Sequence, residues 1–198
     1  MAIDRQMIWD LLVETPRQPR QVARYILNLQ LSASLGWTAL ALMAVGSALI
    51  SHLGLLLSSD EAQAMFGELF DAPLRTAGIQ LLVMAVSAQL AWRLPHLFGG
   101  QGEQAGAVVL VAWLQFVLLL VQAAQLVAMI ALPILADMLG LLGIALFFWL
   151  MSVFIAEMHG FKSALPSFFG VIVTTFVVGF VMMILFVNLL FPALIEAP

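Results

Sequence analysis

Five windows of the chain, residues 25–59, 76–92, 104–136, 138–156 and 163–195, contain no Asp, Glu, Lys or Arg. An apolar run of about 20 residues is what an α-helix needs to cross a hydrocarbon core roughly 30 Å thick. Each window is continuously apolar and does not alternate, so the spanning element is a helix and not a barrel strand. Composition agrees: 64% of the 198 residues are hydrophobic and 9% charged, against about 25% charged in soluble domains. The fold class expected is all-α, a polytopic integral membrane bundle of five transmembrane helices preceded by short amphipathic interfacial helices.

The spans are placed near Ala33–Leu57, Thr76–Leu94, Ala107–Leu132, Met138–Ala156 and Phe168–Phe191. Residues 1–32 then form an amphipathic arm and 33–198 the membrane domain. In the short second span, Trp92 and Arg93 are expected at the interface, with Arg93 snorkelling to the headgroups. Ser58-Ser59-Asp60-Glu61, Pro95 with the run GGQGEQAG (Gly99–Gly106), Pro133 with Asp137, and His159-Gly160 with Pro166 punctuate the spans. Pro133 to Met138 leaves room only for a tight hairpin.

Five spans put Arg5, Arg17, Arg20, Arg24, Arg93 and Lys162 on one side and only Arg75 on the other. The positive-inside rule makes the first side cytoplasmic. The expected location is a bacterial cytoplasmic (inner) membrane, with the amino terminus cytoplasmic and the carboxy terminus periplasmic. The acidic, arginine-bearing start does not read as a cleavable signal peptide, so the first apolar segment is expected to remain. Seven basic residues form no phosphate-tracking field, which argues against nucleic acid. Zero cysteines exclude disulfides, Cys-ligated zinc, Fe–S clusters and c-type haem.

In the arm, Gln6, Asp10 and Glu14 recur every fourth residue and leave an apolar face that includes Trp9. Thr15-Pro16 reads as an N-cap and first-turn proline of a second helix. On that helix Arg17, Arg20 and Arg24 share one face, and Val22, Ile26 and Leu29 another. The acidic stripe argues against simple binding to anionic lipid. Packing on the protein's own cytoplasmic surface or on a partner is expected instead, against the plainer role of a topology anchor.

Polar residues at membrane depth are few. Gln115, Gln122 and Gln125 lie within one side of the third span, Gln80 and Ser87 share a face of the second, and Asn188 lies in the fifth. Interhelical hydrogen bonding explains them more simply than a substrate path, because ionisable midplane residues are missing. His96 and His159 are the one histidine pair that could share a ligand, with Glu103 and Glu157 nearby in sequence. No ligand-type spacing supports a metal or haem there, and no cofactor is expected. Small-residue spacings at Gly102–Gly106, Ala44–Ala48, Ala136–Gly140 and Thr175–Gly179 permit close helix approach. The run GGQG reads as a flexible turn. No nucleophile elbow, zinc-protease, Walker or dinucleotide pattern occurs, so no catalytic residue is named and the protein is read as no enzyme.

Three passages resemble the Yip (Ypt/Rab-interacting protein) domain family in its bacterial form: TPRQPRQVARYIL, GGQGEQAGAVVLVAW and FFWLMSVFIAEMHGFKSALPSFFGVIV. The resemblance implies five spans, a cytoplasmic amino terminus and a carboxy terminus on the far side. Eukaryotic relatives bind lipidated small GTPases and influence membrane curvature. Their D-L-Y-G-P motif is absent here and the arm is short, which argues against GTPase binding. The reading is a non-enzymatic membrane scaffold or accessory subunit, with membrane lipids and another membrane protein or itself as partners. Trp9, Arg17, Arg20, Arg24, Arg93, His96, Glu157, His159 and Lys162 are the candidate contacts. The rival reading is a small-solute or lipid transporter using the polar faces of the second and third spans.

Overall fold

The computed structural model describes residues 4–61, 63–64, 67 and 72–190, with side chains as far as Ile184. Two short helices, α1 (Arg5–Glu14) and α2 (Pro19–Asn28), precede five long ones. These are α3 (Ala33–Leu56), α4 (Pro73–His96), α5 (Gln104–Ala131), α6 (Pro133–Met158) and α7 (Leu165–Leu190). All five are long and apolar enough to cross a membrane. The chain is a polytopic helical membrane bundle.

Prolines start the helices where the missing N–H costs nothing. Pro19, Pro73 and Pro133 all lie in first turns. Leu132 is at once the C-cap of α5 and the N-cap of α6, so a single residue joins these spans. Ser32 opens α3 by accepting the Leu35 N–H at 3.3 Å. The arm's second helix starts later than its sequence suggests. Thr15 has helical backbone angles and is the C-cap of α1, while Gln18 caps α2. Arg17 therefore lies in the turn between the helices, not on a face shared with Arg20 and Arg24.

The central helix is α5, packed chiefly by α3 and α6, also by α4, and by α2 near its start. Its buried run Ala107–Ala112 with Leu114 and Val117 forms the middle of the core. Across from it, the buried side of α3 is Gly36, Leu40, Ala44 and Ala48, a stripe with a period of four. Small side chains there let the two backbones approach; a Cβ on Gly36 would sit 2.8 Å from Val108 Cγ1. By contrast, α7 packs chiefly on α6 and leaves most of its described surface to lipid.

Candidate functional site

The arm, the α4–α5 loop and the α6–α7 loop converge at one end of the bundle. Helix α2 buries Val22, Ala23 and Ile26 against α5 and α6, and Leu11 of α1 joins the same core. Polar side chains then fix the arm to the spans. Arg24 Nε donates to Glu157 Oε1 at 2.8 Å, and Arg20 Nη2 to the Lys162 carbonyl at 3.1 Å. Glu157 lies in the last turn of α6, at its carbonyl end, where a negative charge is unfavourable; Arg24 offsets it. Trp113 Nε1 of α5 donates to Thr15 Oγ1 at 3.0 Å, and that hydroxyl donates on to the Leu11 carbonyl at 2.6 Å. Thr15 is completely buried.

His96 and His159 belong to this end, and their rings meet edge to face with centroids 5.1 Å apart. Sequence spacing alone left them in separate loops. His96 lies in the last turn of α4, where Nδ1 donates to the Trp92 carbonyl at 2.6 Å. His159 is the C-cap of α6 and is buried. Its Nδ1 accepts the Gly102 N–H at 3.0 Å, so Nε2 carries the proton and donates to the Ala91 carbonyl at 3.0 Å. Burial holds His159 below the ordinary histidine value; the Ala91 bond opposes that shift and neighbouring His96 adds to it. The ring is neutral with both nitrogens engaged, and neither has a lone pair left for a metal. Among the described residues no group of three or more His, Asp or Glu is placed to hold a metal ion.

Two matching helix ends frame the pair. After α6, Gly160 takes φ +74°, its N–H bonds Glu157 O, and the Phe161 N–H bonds Ala156 O. After α4, Gly99 takes φ +82°, its N–H bonds His96 O, and the Gly100 N–H bonds Pro95 O. Glycine supplies the left-handed residue in both closures. Within the glycine run between α4 and α5, Gly99 is open and exposed while Gly100 and Gly102 are close-packed. Gly100 and Gly102 are buried. A Cβ on Gly100 would run into His159 Nδ1, and one on Gly102 would lie 2.8 Å from Met158 Cγ.

Arg93 stacks over the Trp92 ring with its guanidinium 5.4 Å from the centroid, an interfacial cation–π pair. Trp9, 66% exposed, and Arg17 stand outward from the docked arm.

The membrane-depth glutamines do not share a path. Gln122 turns to α3, accepting from Ser47 Oγ at 2.8 Å and donating to Ser51 Oγ at 3.0 Å. Gln125 turns to α6, where a Cβ on Gly140 would lie 3.0 Å from its Nε2. Gln115 lines a groove between α4, α6 and α7. The Gln80 Oε1 is buried with no hydrogen-bond partner among the described residues. Asn188 falls on α7 beyond the described side chains. Helical periodicity gave these residues one side of α5, but α3, α6 and the groove divide that side among themselves. Thr15, Trp113 and Ser167 were missed by sequence reasoning. Only Thr15 had drawn notice, for a capping role it does not fill.

The model of the Yip1 domain matches residues 13–186, from the end of α1 to the middle of the last turns of α7. The chain belongs to the Yip1 domain family. Its Yip1 domain thus includes Thr15, Arg20 and Arg24 of the arm together with all five spans. No curated protein and no solved structure matches the chain.

Proposed function

We propose that this Yip1 domain protein is a non-enzymatic scaffold or accessory subunit that presents a preformed face at the arm end of the bundle. The observation that carries the reading is the clamped arm. Arg24–Glu157, Arg20–Lys162 and Thr15–Trp113 fix it to three different elements, and Trp9 and Arg17 stay outward. A face ordered in advance loses little conformational entropy when a partner binds. Six of the seven basic residues belong to that end, so we assign it to the cytoplasm and the carboxy terminus to the periplasm of a bacterial inner membrane. The partner proposed is a second membrane protein or another copy of this chain. A transport reading draws support from Gln115 and Ser87, which line one groove, whereas Gln122 is hydrogen-bonded to α3.

The test is purification from native membranes in nanodiscs, comparing wild type with Trp9→Ala and Arg17→Glu. A stoichiometric partner or a defined self-oligomer that both substitutions release supports the face. A protein that purifies alone, or a partner indifferent to both substitutions, sinks it.

A further inference from the structure

The bundle is not closed between α4, α6 and α7. A groove of about 1170 Å³ lies there, its body walled by apolar residues such as Val83, Leu90, Met151, Val171 and Val178. Small-molecule pockets are roughly 300–1,000 Å³, so the space suits a ligand with long chains. All three walls are membrane spans, and the medium outside the groove is therefore acyl chain and not water.

The lining gains polar groups at the arm end, where Lys162, Ser163 and Ser167 join apolar residues such as Phe98 and Phe161. Ser167 is only 8% exposed, and its Oγ has no hydrogen-bond partner among the described residues. A buried hydroxyl without a partner is costly, and this one lines the groove. It stands in the first turn of α7, which begins at Leu165. In that turn the Leu165 N–H is taken by Ser163 Oγ, Pro166 has no N–H and the Phe168 N–H bonds the Ala164 carbonyl, which leaves the Ser167 N–H beside its own hydroxyl, where the helix dipole favours an anion. Exposed Lys162 supplies a full positive charge, and Arg20 sits on the Phe161 and Lys162 carbonyls at the same corner.

We infer that this groove is a binding site for one anionic glycerophospholipid. Its phosphate is held by the Lys162 ammonium and by the hydroxyl and N–H of Ser167, and its acyl chains lie along the apolar wall. A partner helix in the groove would cover the wall but leave the Ser167 hydroxyl unmatched. A soluble anion would satisfy the mouth but leave the wall empty.

Gly170 and Gly179 both line the groove, and a Cβ added at either meets nothing within 4 Å. Gly170→Leu and Gly179→Leu therefore place bulk on the groove lining from unhindered Cβ positions, and they favour the helix. The full chain is reconstituted in nanodiscs of phosphatidylethanolamine and phosphatidylglycerol, released into mild detergent, and weighed by native mass spectrometry. Wild type is expected to retain one phosphatidylglycerol in preference to phosphatidylethanolamine, undisturbed by added inorganic phosphate. Lys162→Gln and Ser167→Ala should each weaken retention about tenfold, the effect of losing one charge-assisted bond. The two leucine variants should abolish it while eluting as wild type does. Equal retention in all variants, no preference for the anionic lipid, displacement by inorganic phosphate, or a second copy held in place of lipid would each overturn the assignment. Lys162→Gln is a surface change, so a failure of the leucine variants to fold leaves that arm of the test intact.

Discussion

His159 completes the hydrogen bonding that Pro95 breaks in a different helix. Proline has no N–H, so Pro95 cannot bond the carbonyl four residues earlier, that of Ala91. His159 Nε2 donates to that carbonyl across the helix interface. The same ring accepts the Gly102 N–H from the following loop. One side chain thus joins the end of α6 to the end of α4 and the approach to α5. The arm end is ordered for this reason, although two proline- and glycine-rich connections meet there.

Removing the ring should therefore cost more than a typical core polar residue. His159→Ala orphans the Ala91 carbonyl and the Gly102 N–H, each worth about 1–3 kcal/mol when left unsatisfied. Pro95→Ala restores a helical donor for Ala91, so the double variant should recover about 1 kcal/mol of that loss. Thermal unfolding of the four proteins in detergent gives the cycle. Strict additivity would mean that His159 and Pro95 are not linked through Ala91.

The same geometry sets a pH dependence. His159 is held below its ordinary value of 6.5, first by burial. Its contribution to stability is complete above that value. It is lost as pH falls below 6.5 toward the folded-state value, where the unfolded chain binds a proton that the folded chain refuses. Protonation of Nδ1 would also set it against the Gly102 N–H. The thermal midpoint of wild type should drop on acidification through this window, and that of His159→Gln should drop less. Parallel curves would assign the acid sensitivity to other groups.

Glycines at the two ends of the bundle should respond in opposite directions. Gly102→Ala forces a Cβ to 2.8 Å from Met158 Cγ and 2.9 Å from His159 Cε1. Overpacking of that kind costs about 1–3 kcal/mol. Gly78 lies in α4 with open space around its Cβ position. Gly78→Ala should stabilise the helix by roughly 0.5–1 kcal/mol. Unfolding midpoints that move together would contradict the packing described for the loop.

The spans were legible in the sequence because lipid demands a long charge-free run, and that demand is local to each helix. Side-chain partners were not, because they are set by neighbours far along the chain. Thr15-Pro16 carries a sound capping signal, yet Pro19 starts the helix and the Thr15 hydroxyl is engaged by Trp113, 98 residues away. Periodicity put Gln115, Gln122 and Gln125 on one side of α5 without showing that different neighbours share that side. A proline near a helix end announces an unpaired carbonyl, but nothing near Pro95 in sequence identifies His159 as its donor. Nothing in the sequence singles out Ser167; the α4–α6–α7 groove does, by leaving its hydroxyl without a partner among the described residues.

The Trp113–Thr15 bond gives the sharpest reading of how the arm is held. Arg24 is 66% exposed, so breaking its pair with Glu157 should cost no more than about 1 kcal/mol. Thr15 is buried, and Thr15→Val leaves the Trp113 N–H facing a methyl group, a loss of about 1–3 kcal/mol. Trp113→Phe removes the donor as well, so the pair Thr15→Val with Trp113→Phe should be less harmful than Thr15→Val alone. Trypsin cleavage after the exposed Arg17 reports arm release directly. It should accelerate markedly in Thr15→Val, slightly in Arg24→Ala, and fall back in the double variant. Equal cleavage in Thr15→Val and wild type would mean that the apolar contacts of Val22, Ala23 and Ile26 hold the arm without help.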